Sequence, residues 1–293
     1  MYFSECHPMV NLFFYIGVIS MGMCFWHPLF LLCSLIFSVS YCFIIKRNFI
    51  RQLTWMLVFF LLISFGNPIF NHLGETVLFT YFRGRPYTLE ALFYGFAMAS
   101  MFLSIITWFS TYNEIMTSDK FLYCFGGLAP SVSMILTMVL RLVPSFIKKT
   151  QQIAGARKCV GMSVEDGTKH EKIGHGITIV SALTSWALEG GVVMSDSMRS
   201  RGFGCGKRTS FSIYRMKKSD IHLLILMMIL IFTIILCAVR GGMDAVYFPR
   251  TQIADLNDIW TVLGVICYFI FLSIPTALHL LEEITWRILK SKI

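Results

Sequence analysis

His170, Glu171 and His175 are the residues of this chain nearest in spacing to a metal-hydrolysis motif. A zinc helix of that kind places two histidines four apart on one face, with a glutamate as base. Here the histidines are five apart, about 140° further round a helix, and Gly174 weakens the helix between them. No third ligand is evident, so solvated polar residues are expected and neither a metal nor catalysis is implied. Gly202-Phe-Gly-Cys-Gly206-Lys207-Arg208-Thr209 has the composition of a phosphate-binding loop. Such a loop needs four residues between its glycines and Ser or Thr directly after Lys, following a strand. Here the intervening residues are one short, Arg208 follows Lys207, and a helix-like run precedes. The expectation is a glycine-terminated helix and a basic turn, with no nucleotide and no cofactor.

Arg199 and Arg201, just before that glycine, carry the more specific signal. They end a mostly apolar, helix-like run, where free carbonyls favour cations. One reading makes them surface cations that set membrane topology. The other makes them a coupling element pushed into an acidic groove of a soluble partner, since the guanidinium fork matches carboxylates and backbone acceptors. Ser195, Asp196 and Ser197 add polarity that a topology signal does not need.

The elements that must carry this segment are apolar. The 293 residues are 56% hydrophobic and 14% charged, with a mean hydropathy of +0.69. Soluble domains carry about 25% charged residues, so an all-α, polytopic membrane protein is expected. The net charge of +9 fits basic inner loops rather than nucleic acid. The nine cysteines are scattered without a C-x-x-C pair, which argues against a zinc or disulfide framework. No Lys or Arg precedes the first apolar run, so a secretory signal is not expected.

Stretches of about 17–25 apolar residues span a bilayer as helices. Six are read here: Val10–Trp26, Leu29–Ile45, Leu53–Ile69 (interrupted at Gly66-Asn67-Pro68), Leu89–Thr111 with Thr88 as N-cap, Ile221–Val239 and Ile259–Leu281. With both termini in the cytoplasm, all of the 25 Lys and Arg residues except Arg83, Arg85, Arg240 and Arg250 face inward, as the positive-inside rule requires. Phe121–Leu142 is apolar enough to span, but Gly126, Gly127 and Pro130 weaken it, and crossing there would turn the basic stretch 141–172 outward. It is therefore expected to stay inside. The alternative is a pair of crossings with Ile177–Val193 as the return. Three regions follow: N-terminal spans 1–111, a cytoplasmic coupling region 112–219 and C-terminal spans 220–293. The middle region holds two helix-like runs, 131–159 and 176–200, joined by a turn at 161–167. Ser163 and Asp166 there suit a capping-box variant.

Asp196-Ser-Met-Arg199-Ser200-Arg201-Gly202-Phe203-Gly204, followed by Gly206-Lys207-Arg208-Thr209-Ser210-Phe211, resembles the second Ala-Arg-Gly motif of the transmembrane T component of energy-coupling factor transporters, the CbiQ-type family. Ser200 stands for Ala, Arg201-Gly202 match, and Phe203 is the following aromatic. The likeness extends to Trp186-Ala-Leu-Glu189, Arg141-Leu-Val-Pro144, Gly161-Met162 and His7-Pro8. It is strong over 141–215 and weak elsewhere. At the place of the first motif the chain has Cys159-Val160-Gly161; the arginine is missing, with Arg157 and Lys158 one turn earlier.

The resemblance implies a non-catalytic scaffold in a prokaryotic cell membrane, with about six transmembrane helices and a cytoplasmic pair of long coupling helices. Its partners are two cytoplasmic ABC-type ATPase subunits and a membrane substrate-binding S component for a vitamin or metal ion. Arg201 and Arg199 then contact an ATPase groove, and Gly202 ends the helix. Arg157, Lys158, Val160 and Gly161 form the other contact, and Glu189 supports the two helices. A self-contained secondary transporter or channel is the rival reading. The scarcity of ionisable residues inside the spans, with Glu90, His279 and Glu282 near span ends, argues against it.

Overall fold

The structure, a computed structural model, describes residues 3–46, 49–71, 74–81, 85–126, 129–162, 168–206, 214–248, 251–253 and 258–291. Among them, helices account for almost all regular structure: α1 Pro8–Cys24, α2 Pro28–Ile45, α3 Phe49–Phe70, α4 Leu89–Ile115, α5 Ser118–Gly126, α6 Pro130–Cys159, α7 Lys169–Ser200, α8 Lys218–Val239 and α9 Ile259–Ser291. Two short antiparallel hairpins, β1 (Val77–Tyr81) with β2 (Arg85–Thr88) and β3 (Ala245–Val246) with β4 (Gln252–Ile253), join α3 to α4 and α8 to α9. The fold is that of an all-α, multi-pass membrane protein.

The chain forms two compact units, Met1–Phe121 with Tyr214–Ile293, and Leu122–Ile213. In the first, His7 and His27 open α1 and α2. Each is followed by Pro at the first helical position, and each ring Nδ1 accepts the N–H two residues on, at 3.3 and 3.4 Å. Proline is preorganised there and loses no helical bond. The core is aromatic. Phe14 meets Phe3, Trp108 and Phe271 at 5.2, 5.6 and 5.2 Å between ring centres. Trp108 donates from Nε1 to Ser34 at 3.3 Å, so its one polar atom is satisfied. At the α1–α2 turn, Trp26 stacks on Tyr94 of α4 at 5.4 Å, and the Tyr247 hydroxyl donates to the Trp26 carbonyl at 2.8 Å. This ties the α8–α9 connection to the α1–α2 turn and the start of α4.

The expected interruption of the third span does not occur: α3 runs through Gly66 and Asn67 to Phe70. Pro68 lies in the last turn, where it costs only the bond to the Ser64 carbonyl. That carbonyl faces Gly95 of α4, where a Cβ would sit 2.5 Å from it. The small residue lets the two backbones close over the freed acceptor.

The weakness expected before Pro130 is realised, because α5 ends at Gly126 and α6 begins at Pro130. By length and composition the candidate spans are not the same set as the six read from the sequence. Among the described residues, seven helices of 18 or more residues are long and apolar enough to cross a membrane, namely α2, α3, α4, α6, α7, α8 and α9, and α1, apolar over 17 residues, lies at the short limit for a span. α6 qualifies because its cations gather after Ile147, leaving a first half interrupted only by Arg141.

Candidate functional site

The second unit contains α6 and α7, and its contacts fix how they run. Phe146 meets Trp186 edge-on at 5.7 Å, and the Lys149 ammonium lies 5.7 Å from the same indole ring. Nearer the end of α6, Arg157 Nη2 lies 2.9 Å from His175 Nδ1. The guanidinium has only donors, so Nδ1 of His175 is the accepting atom in this contact. The two contacts are equally spaced on both helices and occur in opposite order, so α6 and α7 are antiparallel over about 16 Å.

That geometry sends their C-termini opposite ways. By the same register Gly161 lies level with the first turn of α7. Gly202 lies a helix length away, roughly 45 Å at 1.5 Å per residue.

The two ends close in the same manner. At α6, the Gly161 N–H donates to the Lys158 carbonyl at 3.1 Å and the Met162 N–H to the Arg157 carbonyl at 3.0 Å. At α7, the Gly202 N–H donates to the Arg199 carbonyl and the Phe203 N–H to the Met198 carbonyl, both at 3.0 Å. These paired bonds require a left-handed residue after the last turn. Gly161 and Gly202 supply it with φ of +75° and +78°. The sequence motifs at 157–162 and 198–203 thus become one structural device made twice.

What each end presents differs. Arg199 lies in the last turn of α7, and Arg201 is its C-cap residue. Both are exposed, as is Phe203. On α6, Lys158 takes the place of Arg199, and the C-cap is Val160, 73% exposed, followed by Met162. Arg157 is half-buried and occupied by His175. Glu189, expected to support the helix pair, is exposed and makes no ion pair among the described residues. The contacts across the pair are those of Phe146 and Lys149 with Trp186 and of Arg157 with His175. The partners of Trp186 depend on the antiparallel register.

α6 and α7 also carry apolar stripes exposed at helical spacing: Val132, Ile135, Leu136, Val139, Val143 and Ile147 on one, Ile173, Ile177, Val180, Leu188 and Val192 on the other. Both rows are exposed along their length, and exposed apolar patches of this kind mark membrane or partner surfaces. No group of three potential metal ligands occurs among the described residues. The proposed capping box at Ser163 and Asp166, and Lys207–Phe211 of the basic turn, lie outside the described residues. The described start of α7 is closed by Thr168, whose N–H and hydroxyl donate to Glu171 at 2.7 and 2.9 Å.

The buried carboxylates of the first unit are local. Glu90, in the first turn of α4, accepts from the Thr76 hydroxyl at 2.7 Å and from its N–H at 3.2 Å. Asp220, in the first turn of α8, accepts from the Lys217 N–H at 3.1 Å.

Fold and site together define a multi-pass helical membrane protein bearing an antiparallel helix pair with two glycine-closed, solvent-facing ends. The sequence matches no family model, and comparison with curated proteins returns no match.

Proposed function

We propose that this chain is the membrane-embedded coupling subunit of an ATP-driven importer of the energy-coupling-factor type. It lies in a prokaryotic cell membrane with both termini inside. The observation that carries the reading is the α6–α7 pair, with two equivalent exposed ends roughly 45 Å apart. One rigid element of that length touches two subunits of an ATPase pair at once. Closure of the pair on ATP shifts the ends relative to each other. The helices pass the shift to a membrane partner that holds the vitamin or metal ion and rests on their apolar stripes. Arg201 and Arg199 seat in an acidic groove on one ATPase, and Gly202 turns the chain away. ATP hydrolysis belongs to the partners.

The test is affinity purification of the chain from its native membranes. Two ATPase polypeptides and a small membrane protein are expected to accompany it. Arg201→Glu is expected to release at least one ATPase while the melting temperature of the membrane-embedded unit is unchanged. Unaltered assembly and transport in that variant count decisively against the proposal.

A self-contained carrier is the second reading, favoured by one observation: α6 and α7 themselves qualify as spans. Against it stand Glu90 and Asp220, which are buried but engaged at helix starts rather than aimed at a pathway. Nucleotide-independent uptake by the purified chain in vesicles would favour this reading.

A further inference from the structure

The two ends share a backbone and differ in chemistry, and that difference specifies their partners. Superposing the capping bonds pairs Lys158 with Arg199, Cys159 with Ser200, Val160 with Arg201, and Met162 with Phe203. A cation in the last turn is therefore common to both ends. The residue at the tip is not. One end presents an isopropyl group and a thioether, both well exposed, and the other a guanidinium and an aromatic ring. Arg157 does not restore the missing charge, because it is half-buried and bonded to His175 at 2.9 Å.

We infer that the two ends dock into two non-identical ATPase chains, one with a carboxylate-bearing socket for Arg201 and one with an apolar socket for Val160 and Met162. The inference rests on the coupling reading proposed above and adds the nature of each partner surface. One socket serves both ends badly. Arginine in an apolar socket loses its hydration without a counter-ion, and valine against a buried carboxylate leaves that carboxylate unpaired. Each mismatch disfavours the wrong pairing, so the chain also fixes which ATPase takes which side.

The substitution Val160→Arg separates the possibilities without endangering the fold. Val160 has φ −95° and ψ 9°, which any L-residue adopts, and its side chain is in the open. At least a tenfold loss of ATPase co-purification is expected for Val160→Arg, with Val160→Leu close to the parent. Retained or tighter association in Val160→Arg would mean an acidic socket at this end as well, and would overturn the inference.

Photo-crosslinking gives the identities. A benzophenone-bearing phenylalanine analogue is placed at Met162 or at Phe203 in the full chain, and the complex is irradiated in native membranes. Crosslinks from the two positions to two different ATPase polypeptides are expected. Crosslinks from both positions to the same polypeptide would overturn the inference while leaving the coupling reading intact. Crosslinks to no ATPase from either position would defeat the coupling reading and this inference with it.

Discussion

Replacing Gly202 by alanine isolates the helix closure from everything else in the molecule. A Cβ at Gly202 or at Gly161 meets no atom within 4 Å, so neither substitution creates a clash. Only the backbone resists. With φ at +78° and +75°, an L-residue is held in the left-handed region at a cost of about 1 kcal/mol. That corresponds to a roughly fivefold shift in the closed population of the cap. Gly155, inside α6 and equally open, has the opposite sign. Alanine there removes the entropic cost of a helical glycine and stabilises α6 by about 0.5–1 kcal/mol. Hydrogen exchange of the detergent-solubilised protein, read by mass spectrometry, measures both. In Gly202→Ala the amides of residue 202 and Phe203 are expected to exchange about fivefold faster, while the melting temperature of the membrane-embedded unit stays put. In Gly155→Ala the neighbouring α6 amides slow. Unchanged exchange at residue 202 and Phe203 in Gly202→Ala would refute the left-handed closure, and with it the equivalence of the two ends.

Three further outcomes follow from the geometry. Gly95→Ala is expected to push α3 off α4 and cost about 1–3 kcal/mol by overpacking, whereas Gly66→Ala, with open space around it, leaves the melting temperature unchanged or raises it. A double-mutant cycle on Phe146 and Trp186 is expected to give a coupling of about 0.5–1.5 kcal/mol for the edge-on pair, and a value near zero would deny the α6–α7 register. Burial holds His7 below its ordinary value of 6.5, partly offset by Asp220. Its contribution is therefore complete above about pH 6.5 and lost as the pH falls below that value toward the lowered folded-state value. The start of α1 should then loosen in mild acid as Nδ1 stops accepting from Met9, and His7→Asn should abolish that pH dependence of amide exchange.

Much of this architecture is readable from residue order because bilayer helices and their ends obey local rules. His-Pro starts α1 and α2, Gly126 to Pro130 separates α5 from α6, and Gly161 and Gly202 close α6 and α7, each by backbone chemistry that needs no tertiary context. What escaped the sequence is non-local. The persistence of α3 through Pro68 depends on Gly95, a residue on another helix. The antiparallel register of α6 and α7 depends on Phe146, Trp186, Arg157 and His175 meeting across the pair. His175 looked like half of a failed metal motif and is instead a partner of arginine. Glu189 was singled out by resemblance, and it stands exposed on α7. Apolar content alone does not tell a membrane span from a helix whose stripe awaits a partner, and this is why α6 and α7 satisfy both descriptions.

The native cysteines offer the most direct test of the central claim that α6 and α7 form an inward-facing, two-ended coupling element. Cys159 and Cys205 stand exposed, one at each closed end. With a membrane-impermeant thiol reagent, the account predicts that both react in inside-out vesicles and neither reacts in intact cells. Reaction of Cys159 from the outside of intact cells would mean that α6 and α7 cross the membrane as a pair, and would contradict the account.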